Sequence, residues 1–262
     1  MSGRPALTAA AQALVWLSVP LLYAQGRGVR GRVPRLPEAA AERTGAAAGP
    51  AGAGAEPLRL LVLGESTAAG VGVDSHRDGL AGGLAAELAA RTGRAVTWSV
   101  LARSGATAAD SVRLLLPPAS AGERPDLVLL AHGVNDLLRL TPLRRFERAL
   151  TELARGLRAA HGPVPLVYTL MPPMRRFPTL PEPLRSVLGL RADALDLAIA
   201  RVAARLPAAR AAPTPAAGPD ATAFFAADGF HPGPTGYHHW AAALAGPATE
   251  LLGAGAVADS GR

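Results

Sequence analysis

Cysteine is absent from the 262 residues, which removes disulfides, thiol nucleophiles and thiolate metal sites at once. Lysine is absent too, so all 27 basic side chains are arginine. Aromatic residues make up only 4% of the chain, and no basic stretch is interleaved with them as a base-stacking platform requires. A formal net charge of +7 could by itself attract an anionic partner. Exclusive use of arginine, beside so much alanine, points instead to a compositional bias, and no nucleic-acid partner is expected.

What is abundant is alanine, with 29 glycines and 24 prolines, and the hydrophobic fraction of 49% owes much to that alanine. Alanine buries little surface per residue, so closely packed, alanine-rich helices are expected. The length suits one sizeable α/β domain and is short for two with linkers.

Four segments follow along the chain. Residues 1–32 hold an apolar run from Ala6 to Ala24, interrupted by Thr8, Gln12, Ser18 and Pro20 and flanked by Arg4 before it and Arg27, Arg30, Arg32 and Arg35 after it. A membrane span needs about 20 apolar residues and a signal-peptide core only about 7–15. The run therefore reads as an anchor giving membrane contact, and the excess of downstream arginines puts the following domain on the cytoplasmic side. A cleavable signal, which would make the domain secreted or extracytoplasmic, is the rival, although Leu22-Tyr23-Ala24 is a poor cleavage site; a buried helix is a third option. Residues 33–57, rich in Pro, Ala, Gly and Glu, read as a flexible linker. The folded domain is expected over residues 58–252, and a disordered tail over 253–262.

Within the domain, short apolar runs at Leu58 to Leu63, Ala95 to Leu101, Asp126 to Ala131 and Pro165 to Leu170 read as strands, with a weaker fifth at Ala208 to Pro213. Helical patterns occupy Leu80 to Arg91, Ala108 to Leu116, Leu143 to Ala160, Leu184 to Leu206 and Pro234 to Leu252. Such alternation predicts an α/β fold, a parallel sheet of about five strands covered by helices on both faces. In these sheets reactive groups gather in loops at the carboxyl ends of the strands.

After the first of these strands comes Gly64-Glu65-Ser66-Thr67-Ala68-Ala69-Gly70-Val71-Gly72. It matches neither a phosphate-binding loop, since no Lys follows a Gly at the required spacing, nor G-x-G-x-x-G. It is not the G-x-S-x-G elbow either, because Ala68 stands two residues after Ser66. A serine remains, among residues small enough to admit a carbonyl. Ser104-Gly105-Ala106 follows the second strand, and a glycine there can expose its N–H. His132-Gly133-Val134-Asn135-Asp136 ends the third, where the Asn135 amide can donate to an oxyanion or simply cap a helix. Asp228-Gly229-Phe230-His231-Pro232 precedes the last helix. A carboxylate three residues before an imidazole can accept its Nδ1–H and leave Nε2 free to take a proton from a serine. No His or Cys set has zinc spacing.

The order of these blocks resembles the SGNH/GDSL hydrolases, over about Leu58 to Ala245. That resemblance implies a three-layer α/β/α, flavodoxin-like sandwich with neither cofactor nor metal. It implies Ser66 as nucleophile, Asp228 and His231 as its triad partners, and an oxyanion hole of Ser66 N–H, Gly105 and Asn135. Glu65 departs from the Asp usual at that place, which bears on local loop packing. The implied reaction is two-step acyl transfer on a small-molecule, lipid or carbohydrate ester, with short-chain or acetyl esters expected because no long apolar lid follows the nucleophile block. The stretch from Met171 to Leu190 is the candidate variable loop over the site. A carbohydrate O-deacetylase, a lysophospholipase or thioesterase, and a non-catalytic flavodoxin-like binding module are the alternatives. Ser104 is the next candidate nucleophile. Among the six histidines, His132 is the competitor of His231, while His76, His161, His238 and His239 sit in loop or helix contexts without a paired carboxylate.

Overall fold

The strand Leu58–Gly64 is apolar at almost every position, and the computed structural model shows why: the strand lies inside a six-stranded sheet covered on both faces. Residues 20–29, 31–40, 42–49, 56–215 and 221–259 are described. Along them run β1 (Thr44–Ala47), β2 (Leu58–Gly64), α1 (Leu80–Thr92), β3 (Val96–Ala102), α2 (Ala108–Leu114), α3 (Leu116–Ala121), β4 (Leu127–Ala131), α4 (Val134–Leu138), α5 (Leu143–His161), β5 (Leu166–Thr169), α6 (Leu184–Ala204), β6 (Ala209–Ala212), α7 (Ala221–Phe224) and α8 (Pro234–Asp259). The sheet order is β1-β3-β2-β4-β5-β6. All neighbours pair in parallel except β1 with β3.

Successive side chains of a strand point to opposite faces, and here both faces are buried, as parallel sheets require. Leu61, Leu63, Val128, Leu130, Leu166 and Tyr168 enter one core with α5 and α6. Leu60, Val62, Leu127, Leu129, Val96 and Val100 enter the other with α1 and α8. The result is the expected α/β/α three-layer arrangement. Helix α5 shows how sequence sets this packing: Phe146, Ala149, Leu150, Leu153, Ala154 and Leu157 recur at helical spacing and are buried, while the arginines between them face out.

Three boundaries differ from expectation. β1 lies inside the stretch 33–57 that reads as a linker, so part of that stretch belongs to the sheet. Its residues are small and alternate only between exposed and half-buried, and a Cβ on Gly45 would sit 2.3 Å from the Trp98 ring. An edge strand shaped to let a tryptophan lie across it carries no apolar period to read. The tail expected from residue 253 is helical through Asp259, as the end of α8. The short helices α3, α4 and α7 are additions, and α3 begins with prolines at its first positions, where a missing N–H costs nothing.

The anchor expected at residues 6–24 lies outside the described residues up to residue 19. Among the described residues no helix is long and apolar enough to cross a membrane. Residues 20–29 are helical, with Leu22 and Val29 against the core. Gln25 Nε2 donates to the Glu182 carbonyl at 2.7 Å, and Gln25 Oε1 accepts from Leu184 N–H at 3.2 Å.

Leu153 is fully buried in α5, and Leu153→Ala is expected to destabilise the protein by about 2–5 kcal/mol, the lost transfer energy plus the cavity left behind. Urea denaturation of the two proteins measures the difference.

Candidate active site

Strand order reverses at β2: the chain leaves it for β3 on one side and returns to β4 on the other. Loops at the carboxyl end of such a strand flank a crevice. Residues Gly64, Ala102 and Ala131 stand level there, since Gly64 pairs with both of the others. The segments leaving these three strand ends carry Ser66, Gly105 and Asn135.

Ser66 follows β2 in a tight turn, where Ala69 N–H donates to the Glu65 carbonyl and Val71 N–H to that of Ser66. The turn reaches Gly72 at φ +102°, where a Cβ would lie 2.3 Å from the Pro232 carbonyl oxygen. Only glycine lets the loop of Ser66 and the loop before α8 approach so closely. The buried Tyr237 hydroxyl, donating to the Val71 carbonyl at 2.7 Å, fixes α8 to the same turn.

The loop before α8 closes on itself, with Ala226 N–H donating to the His231 carbonyl at 2.8 Å. Asp228 Oδ1 accepts from the N–H groups of Phe230 and His231, both at 2.9 Å. Its Oδ2 lies 2.6 Å from His231 Nδ1, and His231 Nε2 lies 3.0 Å from Ser66 Oγ. With Nδ1–H given to the carboxylate, Nε2 presents its lone pair to the serine hydroxyl. The Asp228 side chain is 1% exposed. Burial pushes its pKa up, but the bonds from His231 and from the Phe230 and His231 N–H groups outweigh that and hold the carboxyl below its ordinary range. A serine, an imidazole and a buried carboxylate so arranged can pass the hydroxyl proton to nitrogen during attack on a carbonyl.

Gly105 stands at φ +80° in a turn closed by Ala106 N–H donating to the Arg103 carbonyl. Arg103 N–H donates to Gly64 and Ser104 N–H to Glu38. Among the described residues the Gly105 N–H has no acceptor, and neither has the Ser66 N–H. Both are free to serve an oxyanion. Asn135 differs, because its Nδ2 donates to Glu65 Oε2 and, at 3.2 Å, to the Ala106 carbonyl. The expected third donor is thus engaged within the protein.

Glu65 is what engages it. Its carboxylate also accepts from Val134 N–H at 2.8 Å and Asn135 N–H at 3.0 Å, tying the start of α4 to the residue before Ser66. Desolvation by burial raises its pKa to about 7 against the lowering pull of the Asn135 and Val134 N–H groups. Sequence reading gave this residue only a packing role; a carboxylate next to the serine in place of the usual shorter one was the available signal.

His132, the competing base, is buried and bonded through Nε2 to Ser111 Oγ at 2.8 Å, away from Ser66. Burial lowers its pKa to about 3, which keeps the imidazole neutral. Ser104 has no imidazole bonded to its hydroxyl. No group of three His, Cys, Asp or Glu among the described residues is placed to hold a metal ion.

Beside Ser66 and His231 opens a cleft of about 700 Å³, its mouth included, walled by Leu170, Met171, Phe177, Phe224, Phe225, Phe230 and Trp240. The loop after β5 contributes Met171, Pro172, Pro173, Arg176 and Phe177, so the start of the stretch from Met171 to Leu190 does lie over the site. Four of the chain's five phenylalanines meet here. Phe177 lies 5.3 Å from Phe225 and 5.2 Å from Phe230, and Phe230 sets its edge to the His231 ring at 5.4 Å. The clustering was not read from sequence, because residue 177 is separated from 224, 225 and 230.

The model of the GDSL-like Lipase/Acylhydrolase family matches residues 62–239. The chain is 30% identical over 193 residues to the GDSL-like esterase Rv1075c of Mycobacterium tuberculosis, across 69% of this chain, and it spans 58% of that relative's length. Its fold is similar to that of TesA, with a TM-score of 0.58 and 24% identity over 74% of this chain and 99% of the other. It is also similar to the psychrotrophic esterase EstA from Pseudoalteromonas sp., with a TM-score of 0.57 and 18% identity over 74% and 98% of the two chains.

Because Glu65 holds its proton to a higher pH when folded, its stabilising contribution is complete below about pH 4.5 and is lost as pH rises through about 7. The loss is on the order of 3 kcal/mol. Glu65→Gln is expected to flatten the fall of unfolding free energy between pH 5 and 8, as read by urea titrations at several pH values. Parallel curves for the two proteins would show that Glu65 does not titrate in this range.

Proposed function

The chain belongs to the GDSL-like lipase/acylhydrolase family, and from that premise we propose that it is a serine esterase cleaving carboxylic esters through an acyl-enzyme. The observation that carries this reading is the relay from Ser66 Oγ through His231 to buried Asp228, at 3.0 and 2.6 Å. Ser66 attacks the ester carbonyl while His231 Nε2 takes its proton and returns it to the departing alcohol. Water, deprotonated by the same nitrogen, then releases the acid. Asp228 orients the ring and stabilises the imidazolium without accepting the proton. The developing oxyanion is met by the Ser66 and Gly105 N–H groups, with Asn135 as the third donor once its Nδ2 turns from the ground-state acceptors.

The walls of the cleft support an apolar acyl group, and the absence of a long apolar lid insertion after the nucleophile block supports a short one. Carbohydrate binding favours many polar partners for sugar hydroxyls, and beside the relay the cleft offers only a few, Thr67, Thr169, Arg176 and Thr214, among its apolar walls, so a deacetylase is the weaker reading. Membrane contact rests on the composition of residues 6–24, and we include it in the proposal as a means of holding the enzyme near lipid esters.

Ser66→Ala and His231→Ala are expected to abolish hydrolysis of p-nitrophenyl butyrate and, for Ser66→Ala, fluorophosphonate labelling. Asp228→Asn should leave a reduced residual rate, His132→Ala should be milder than either, and Asn135→Ala should lower kcat roughly 10²–10³-fold with a smaller effect on KM. Full kcat/KM in His231→Ala would refute the relay. Across p-nitrophenyl esters, kcat/KM is expected to be highest for acyl groups of a few carbons and to drop for palmitate; a palmitate optimum would reject the short-chain assignment.

A further inference from the structure

The two unengaged backbone donors sit on different turns, Ser66 N–H after β2 and Gly105 N–H after β3, and a stretch of chain ahead of the family-matched region touches both. Ala39 N–H donates to the Ala69 carbonyl at 3.1 Å, within the turn that holds Ser66. One residue earlier, Glu38 Oε1 accepts from Ser104 N–H at 2.7 Å, within the turn that holds Gly105. Adjacent residues thus join the two turns.

The join is braced from behind. Glu38 Oε2 pairs with Arg43 NH2 at 2.5 Å. Arg43 NH1 donates to the Ala102 carbonyl at 2.8 Å, at the last residue of β3. The Arg43 carbonyl accepts from Val100 N–H at 2.8 Å, and from Thr44 onward β1 continues the antiparallel pairing with β3. Ala39 is buried, and the Glu38 carboxylate is two-thirds covered although it carries charge. A charged acceptor on a backbone N–H makes a stronger hydrogen bond than a neutral one. Where a surface arm only needed anchoring, the strand pairing would suffice; the Glu38 bond is additional and falls one residue before the free Gly105 N–H.

We propose that Glu38, Ala39 and Arg43 form a strap that sets the spacing of the two backbone oxyanion donors, with Glu38 as its positioning residue. The proposal rests on the esterase reading, in which the Ser66 and Gly105 N–H groups receive the oxyanion. A donor must stand within about 2.7–3.1 Å of the developing charge to act, so small displacements of the Gly105 turn change the transition state far more than the bound ester. Glu38 touches neither substrate nor reacting atoms; it acts through the Ser104–Gly105 turn.

The test uses the full chain with Glu38→Ala, Glu38→Gln and, as a reference, Ser66→Ala, measuring kcat and KM on p-nitrophenyl butyrate, the rate of fluorophosphonate labelling, and Tm. Losing an oxyanion donor outright costs 10²–10³-fold, and a loosened one less, so Glu38→Ala is expected to lower kcat about tenfold with KM within about twofold. Labelling should slow in parallel, since phosphonylation builds charge at the same place. Glu38→Gln keeps a carbonyl acceptor for Ser104 N–H and is expected to restore kcat to within about threefold of wild type. Wild-type kcat in Glu38→Ala, or an equal kcat loss in Glu38→Gln, overturns the strap while an inert Ser66→Ala leaves the nucleophile standing. Turnover in Ser66→Ala overturns the nucleophile and the strap's role with it. Should Glu38→Ala fail to fold, Arg43→Met removes the cation that orients Glu38 and leaves the strand pairing. A kcat about threefold lower supports the strap, and unchanged kcat overturns it.

Discussion

Parallel pairing of β2 with both β3 and β4 is the constraint on which the site depends. Gly64 lies opposite Ala102 on one side and Ala131 on the other, so three strands end level and three turns open at one edge. A slip of one residue in either pairing would flip every side chain to the other face, exchanging Leu61 and Leu63 for Leu60 and Val62 between the two cores. Such a slip would also carry Arg59, the one exposed residue of β2, to a place where Leu58 or Leu60 is buried. Register is therefore held along the strand, and the geometry of the polar groups at its end follows from it.

Two carboxylates flank Ser66, and their surroundings drive them in opposite directions. Asp228 is buried, yet two backbone N–H groups and an imidazole outweigh the desolvation, so it stays ionised. Glu65 is buried among N–H donors of the chain that also stabilise its charge, but no cation faces it and burial prevails. The difference is the His231 Nδ1–H that only Asp228 accepts, together with the nearby Asp136 carboxyl, which pushes Glu65 further up. One carboxylate is thereby suited to stabilising an imidazolium and the other to holding backbone in place.

Much of this could be read from the chain. Alternating apolar runs gave five strands to within a residue or two, because the central strands are largely apolar and contrast with the helices between them, while the short edge strand Ala209–Ala212 stood out less. Ser66, Asp228 and His231 stood in loops at strand ends or helix entries, where short polar motifs survive among apolar runs, and they meet in space. β1 was hidden because an edge strand built from threonine, glycine and alanine has no period to detect. The engagement of Asn135 by Glu65 was hidden for a different reason: it depends on where the start of α4 places Val134 and Asn135 against the Glu65 carboxylate, which no motif displays. Glu38 and Arg43 were passed over as linker residues, since exposed charges among alanine and proline look the same whether or not they find a partner.

Aromatic scarcity also takes on a meaning once the chain is folded. Leucine, valine and alanine make up most of both cores, with Tyr168, Trp98, Tyr237 and Trp240 as scattered aromatics, and alanine-rich faces let α1 and α8 lie close together over the sheet. Four phenylalanines collect instead in the cleft beside His231, with only Phe146 in the core away from it. Aromatic rings bury large areas and lose little rotamer freedom, so a wall made of them keeps its shape when a ligand is absent. Phe230 meets the imidazole ring at 5.4 Å and gives its N–H to Asp228, so any acyl group packing against that wall packs against a residue tied to the carboxylate of the relay.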